Sequence, residues 1–169
     1  MSDEVVRHYR RPGPDGSHLD LPSSGSLAKL GTRESLALLG SVAYGRIVFT
    51  ERALPAVRVV NHALVDGEIV IRTHADAALT RALPGGNAEG VVVAYEADHI
   101  DAATHTGWSV VVTGFARALP LADLPEEQAA RYLQSQPPWF QAHMSHLVVI
   151  HPELVSGRRL DSTALVTVW

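Results

Sequence analysis

Three stretches in the first half of the chain are dominated by apolar, β-branched and aromatic residues: Ala43-Tyr44-Gly45-Arg46-Ile47-Val48-Phe49, Ala56-Val57-Arg58-Val59-Val60-Asn61 and Glu68-Ile69-Val70-Ile71-Arg72-Thr73. Such side chains suit a pleated, half-buried surface, so each stretch predicts a β-strand. Asp66-Gly67, between the second and third, is a strong hairpin signal because both positions of a tight turn need positive φ. An antiparallel meander is therefore expected. Gly90-Val91-Val92-Val93-Ala94-Tyr95-Glu96 and the run Trp108 to Ala118 predict two more strands, joined by a polar loop through Asp98, His99, Asp101, Thr104 and His105. His146 to His151 reads as a sixth strand and Ala164 to Trp169 as a possible seventh.

Helical patterning is confined to the connections. Thr32 is placed to cap a short helix in which Leu36 and Leu39 share a face and Gly40 is the stop. Residues 74–83 read as helical before the loop Pro84-Gly85-Gly86-Asn87. Asp123 to Gln134 reads as another helix, with Pro125 early, Glu126 and Glu127 complementing the dipole of its first turn, and Pro137-Pro138 ending it. Short strands with helices inserted between hairpins favour a mainly β fold, an antiparallel β-barrel of six or seven strands with inserted helices. Residues 1–26 carry Pro12-Gly13-Pro14-Asp15-Gly16 and Pro22-Ser23-Ser24-Gly25, so they read as a flexible arm, extended or poorly ordered, preceding one domain over 27–169.

Composition narrows the chemistry. A chain of 169 residues is long enough for one core, since a domain near 150 residues buries about 68–70% of its unfolded surface. With no cysteine there is no disulfide, thiolate metal site or Cys nucleophile. A net charge of −4 argues against a long nucleic acid as partner. It leaves room for a small phosphate ligand held by one or two arginines, whose planar fork suits phosphate. No apolar run resembles a signal peptide or reaches the roughly 18–20 residues of a membrane helix, so a cytoplasmic protein without a membrane partner is expected.

Within the second strand, alternation puts Arg58 and Val60 on one face and Val59 and Asn61 on the other. These polar groups in an apolar run either decorate an edge or line a ligand. Arg72-Thr73-His74 enters what reads as a helix N-terminus, where backbone N–H groups, a hydroxyl and a guanidinium suit one phosphate; ordinary capping by Thr73 is the alternative. Nine histidines include His143 and His146 at helical spacing with His151 nearby, and His99 and His105 flank a polar loop. A zinc site needs three or four converging ligands and no HExxH is present, so scattered surface or interface histidines are the commoner explanation and no metal is expected. No G-x-S-x-G elbow and no G-x-G-x-x-G turn occurs. Trp139 and Phe140 are candidates to cover a ligand, a partner or the core.

The succession Gly45-Arg46-Ile47-Val48, Pro55 to Asn61, Asp66 to Thr73 and Gly107 to Ala116, closing with Val148 to Arg159, resembles the FMN-binding split barrel of pyridoxamine 5'-phosphate oxidase-like proteins. The resemblance spans roughly residues 30–160 and implies an FMN-binding homodimer. It sets the strand of Arg58, Val59, Val60 and Asn61 along the isoalloxazine ring, brings Arg72 and Thr73 to the ribityl phosphate, and places Trp108 and Ser109 in the flavin pocket, often across the dimer interface. Where many relatives follow the phosphate-binding Thr with Ser or Gly and then Lys, this chain has Asp76-Ala77-Ala78, which removes a positive charge and leaves a loosely held FMN, a deazaflavin cosubstrate and a lost cofactor as alternatives. The implied activity is an FMN-dependent oxidoreductase acting on a small organic substrate. The alternatives are a deazaflavin-dependent reductase and a non-catalytic module binding FMN or haem. No residue is singled out as catalytic; His62, His74 and Tyr44 are the candidate proton donors.

Overall fold

The computed structural model of the chain describes residues 26–83, 89–134 and 144–161. In chain order these form β1 (Ser26–Leu30), α1 (Thr32–Leu39), β2 (Tyr44–Glu51), β3 (Leu54–Asn61), β4 (Ala63–Val65), β5 (Glu68–Thr73), α2 (Ala78–Ala82), β6 (Val91–Asp101), β7 (Thr106–Pro120), α3 (Glu126–Gln134) and β8 (His146–Asp161). The strands make one antiparallel sheet in the order β3-β2-β6-β7-β8-β5-β4, with β1 paired to the far half of β8. Its two edge strands are consecutive in the chain, joined through His62, and β3 comes into contact with β5. The sheet thus curls into a nearly closed barrel with a seam between β3 and β4, in keeping with the mainly β, split-barrel architecture expected.

Alternation along the long strands decides what the barrel encloses. On β7, Val110, Val112, Gly114, Ala116 and Ala118 are buried and the residues between them are not. They meet Ile47 and Phe49 of β2, Val93 and Tyr95 of β6, and Ile69 and Ile71 of β5, with Leu39 of α1 closing one end. Fully burying side chains of this size stabilises by about 1.5–3 kcal/mol each. A second cluster lies on the opposite face of β5 and β8, where Val70, Leu147 and Val149 pack under Tyr132 of α3. Burial on both faces explains why Ile69-Val70-Ile71 and Leu147-Val148-Val149-Ile150 are continuous apolar runs rather than alternating ones.

Several expectations are corrected. The second and third predicted strands do not pair with each other: β5 pairs with β8, and Asp66-Gly67 instead turns the three-residue β4 back onto β5. The simple meander fails because His62 turns its side chain inward and breaks one long strand into β3 and β4. The helix expected over 74–83 shrinks to Ala78–Ala82, because the Ala77 amide and the Thr80 hydroxyl both use the His74 carbonyl in a turn. Arg72 and Thr73 therefore stand in a strand, four or more residues before any helix. Gly31 rather than Thr32 takes the cap position of α1, and the Ser35 hydroxyl and amide both donate to its carbonyl. The polar loop between β6 and β7 is short, since Asp98, His99 and Asp101 still belong to β6. The sixth strand is the first third of β8, which runs to Asp161 past a bulge at Glu153. With β1 and β4 there are eight strands among the described residues. The possible strand at 164–169, His143, Trp139, Phe140 and nearly all of the predicted arm lie outside them.

Candidate functional site

The pairing registers assemble a row of polar side chains on the outer face of the sheet. Asn61 of β3 stands opposite Tyr44 of β2, Asp98 of β6 opposite Ser109 of β7, and Ser109 opposite Arg158 of β8. Tyr44, Arg46, Val59 and Asp98 line one shallow depression of about 230 Å³. Around it the same face exposes Val57, Val59, Val92, Val111, Phe115 and Leu154, of which Val59 is 69% and Leu154 70% exposed. This is a broad apolar surface with a polar band across it.

The charges in the band are unequal. Arg46 Nη1 donates to Glu96 Oε2 at 2.8 Å and to Asp98 Oδ1 at 3.1 Å. The Glu96 and then the Asp98 hydrogen bond hold the guanidinium above its already high ordinary pKa. One cation between two carboxylates leaves the cluster of Arg46, Glu96 and Asp98 with no surplus positive charge for a phosphate. Arg72 differs: it is half-buried on the face of β5 that carries Val70, and its Nε is buried with no hydrogen-bond partner among the described residues. A buried unpaired donor is costly. Ala63, one residue beyond His62, pairs with Val70, so Asn61 and Arg72 sit two places beyond that pair on their own strands, at the seam.

The eight residues singled out from the sequence divide between two faces. Val59, Asn61, Arg72 and Ser109 share the outer face. Arg58 turns to the other side, as alternation requires, and its guanidinium lies 5.8 Å from the Phe49 ring centroid, donates to the Val57 carbonyl at 2.8 Å and reaches Glu51 at 3.3 Å. Val60 and Trp108 pack against the core. Thr73 is buried, with its hydroxyl 3.3 Å from that of Thr80.

Sequence reasoning missed the most buried polar contact near the seam. His62 Nε2 is 2.9 Å from the Leu39 carbonyl, and Nδ1 is 2.7 Å from the Tyr95 hydroxyl. A carbonyl only accepts, so Nε2 carries the proton and Nδ1 accepts from the phenol. Burial keeps His62 below the usual imidazole range and lifts Tyr95 far above the usual phenol range, so both are neutral at physiological pH. The available signal was Gly45: at an inward-facing position of β2 it leaves the space that the Tyr95 ring fills. Of the candidate proton donors, His62 has both ring nitrogens engaged, His74 is exposed beyond β5, and Tyr44 is half-exposed in the depression.

Residues 31–159 match the pyridoxamine 5'-phosphate oxidase family. The chain belongs to that family. Its relatives include the uncharacterized protein Rv0080 of Mycobacterium tuberculosis, 44% identical over 146 residues, which span 86% of this chain and 93% of that protein. Among solved structures, the FAD binding protein from Mycobacterium smegmatis is 30% identical, with a TM-score of 0.62 over 78% of this chain and 98% of its own. A FAD-binding protein from Mesorhizobium loti shares the fold at 23% identity, with a TM-score of 0.63 over 82% of this chain and 99% of its own. Among the described residues no helix is long and apolar enough to cross a membrane, and no group of three His, Asp or Glu side chains is set to hold a metal ion.

Proposed function

We propose that this chain binds FMN on the outer face of its barrel, as a homodimer, and acts as an FMN-dependent oxidoreductase on a small organic substrate. The buried Nε of Arg72, which has no hydrogen-bond partner among the described residues, carries the reading. Among the described residues it is a donor without an acceptor at the seam, on the face that the polar row crosses, and a phosphate oxygen would satisfy it. The missing lysine at Asp76-Ala77-Ala78 leaves Arg72 as the principal cation toward that phosphate. Asn61, Tyr44 and Ser109 offer hydrogen-bonding groups to the polar edge of the ring, and Val59 and Val111 offer apolar surface to its remainder. A bound flavin supplies hydride chemistry; the chain orients it and excludes water.

Pairing two copies through the apolar outer face would bury Val57, Val92, Phe115 and Leu154 and enclose the ligand between them. FAD is the second reading, favoured by the M. smegmatis relative described as a FAD binding protein. Titration of the purified protein with FMN, FAD and deazaflavin, followed by absorption and fluorescence, separates these readings. Tightest binding of FMN, with reduction and reoxidation by a small substrate, is the expected result. Preference for FAD would replace FMN, and no binding of any flavin would remove the reading.

A further inference from the structure

His62 alone links the two edge strands of the sheet. Its amide donates to the Ala43 carbonyl at 3.2 Å, its Nε2–H to the Leu39 carbonyl at 2.9 Å, and its Nδ1 accepts from the Tyr95 hydroxyl at 2.7 Å. One residue thereby ties the end of α1, the start of β2 and the middle of β6 to the seam. His62 is only 7% exposed, yet it borders an opening of about 300 Å³ lined by residues 40–43 and 62–64.

We propose that His62 and Tyr95 form a proton-operated latch on the barrel seam: the neutral imidazole holds α1, β2 and β6 together there, and a proton taken up at Nδ1 releases them. Nδ1 is the only ring position free to take the proton, because Nε2 already carries one. Once protonated it becomes a donor, and the Tyr95 hydroxyl must turn its own hydrogen away with no other partner among the described residues. A buried imidazolium and an unsatisfied phenol are both costly. The opening beside residues 40–43 gives the charged ring a way to water.

Among the described residues no carboxylate faces the ring to stabilise its charge. Tyr95 is the ionisable group it meets from β6. The end of α1, the start of β2 and β4 offer Gly40, Ser41, Val42, Ala43, Ala63 and Leu64, none of which ionises in this range. Tyr44, Arg46, Glu96 and Arg72 neighbour it along β2, β6 and β5 but lie on the outer face. Burial therefore dominates and keeps the folded pKa below the unfolded one. The closing free energy is complete above the ordinary imidazole value of about 6.5 and is lost as pH falls toward the lower folded value. The latch rests on the seam alone; its effect on flavin affinity, through Asn61 and Tyr44, rests on the function proposed above.

The test is hydrogen exchange of the His62 amide in ligand-free protein between about pH 7.5 and about pH 5, corrected for intrinsic rates, with His62 followed by NMR. Protection is expected to be constant at the upper end and to fall by up to about tenfold per pH unit below roughly 6.5, with neutral His62 as the Nε2–H tautomer. His62→Gln removes the pH dependence. Tyr95→Phe, which keeps the ring and its packing, starts less protected and shows a shallower fall. Flat protection in the unaltered protein, or an Nδ1–H tautomer, overturns the latch. FMN affinity measured over the same range is expected to weaken in parallel; FMN that binds at no pH overturns the flavin reading while the exchange data still decide the latch.

Discussion

Gly45 and the hydroxyl of Tyr95 compete for one small volume: a Cβ built on Gly45 would land on the phenolic oxygen. The absence of a side chain at Gly45 lets β6 deliver Tyr95 to His62 beneath β2. Gly45→Ala is expected to destabilise the protein by about 1–3 kcal/mol, the range for overpacking a filled core. A lowered urea midpoint at unchanged slope would confirm this, and an unchanged midpoint would show that the ring has room to move.

The hairpin between β2 and β3 turns through Arg52 and Ala53, with φ of 51° and 63°. These are left-handed values that a Cβ disfavours by about 1–2 kcal/mol. Ala53→Gly is expected to raise stability by about 1 kcal/mol, less whatever extra freedom glycine gives the unfolded chain. Thermal unfolding measures it, and a fall in midpoint would mean that the unfolded-state effect wins.

Arg72→Ala removes the guanidinium offered to a flavin phosphate. If that contact is worth the usual 1.5–3 kcal/mol of a charge-assisted hydrogen bond, FMN affinity falls by about tenfold to a hundredfold. Riboflavin, which lacks the phosphate, is expected to bind both proteins equally. A loss that is the same for FMN and riboflavin would place Arg72 away from the phosphate.

Val111 lies at the middle of the exposed apolar face, between Glu96 on one neighbouring strand and Ser156 on the other. Val111→Asp puts a charge where the proposed dimer excludes water and is expected to give a monomer by analytical ultracentrifugation. A parent protein that is already monomeric, or a variant that still dimerises, rules out this face as the interface.

Asp101 closes the turn between β6 and β7 by accepting from the amides of Ala103 at 2.8 Å and Thr104 at 3.3 Å. Those bonds, the Ala103 one first, hold its carboxyl below the ordinary carboxylate range. Because the folded value is the lower one, the contribution to stability is complete above the unfolded carboxylate value and is lost as pH falls through the folded one. Amide shifts of Ala103 and Thr104 are expected to report that transition, and Asp101→Asn to abolish it.

The strands with strong side-chain patterns were legible from the sequence, because burial on one face or two writes itself into β7, β5 and the start of β8. Asp66-Gly67 was legible as a turn, with φ of 51° and 86°, but the identity of the strand it turns was not. That depended on His62, whose partner Tyr95 is 33 residues away and has no spacing signature. Strand β1 was invisible for a different reason: Leu27 is 65% exposed, and its membership comes from backbone pairing with β8. The alternation of Arg58 against Asn61 was readable, whereas the burial of the Arg72 Nε depends on packing across the sheet.

Strand β8 pairs with β1, β5 and β7, three strands from widely separated parts of the chain. During synthesis none of those pairings can form until residues 146–161 have left the ribosome. The β4–β5 hairpin and β1 must wait as unpaired edges while β2, β3, β6 and β7 already hold one another. Contacts so distant in sequence slow folding and prolong exposure of strand edges. Completion of this barrel is therefore tied to the arrival of its last described strand, and a nascent chain stalled before it would present sticky edges to its neighbours.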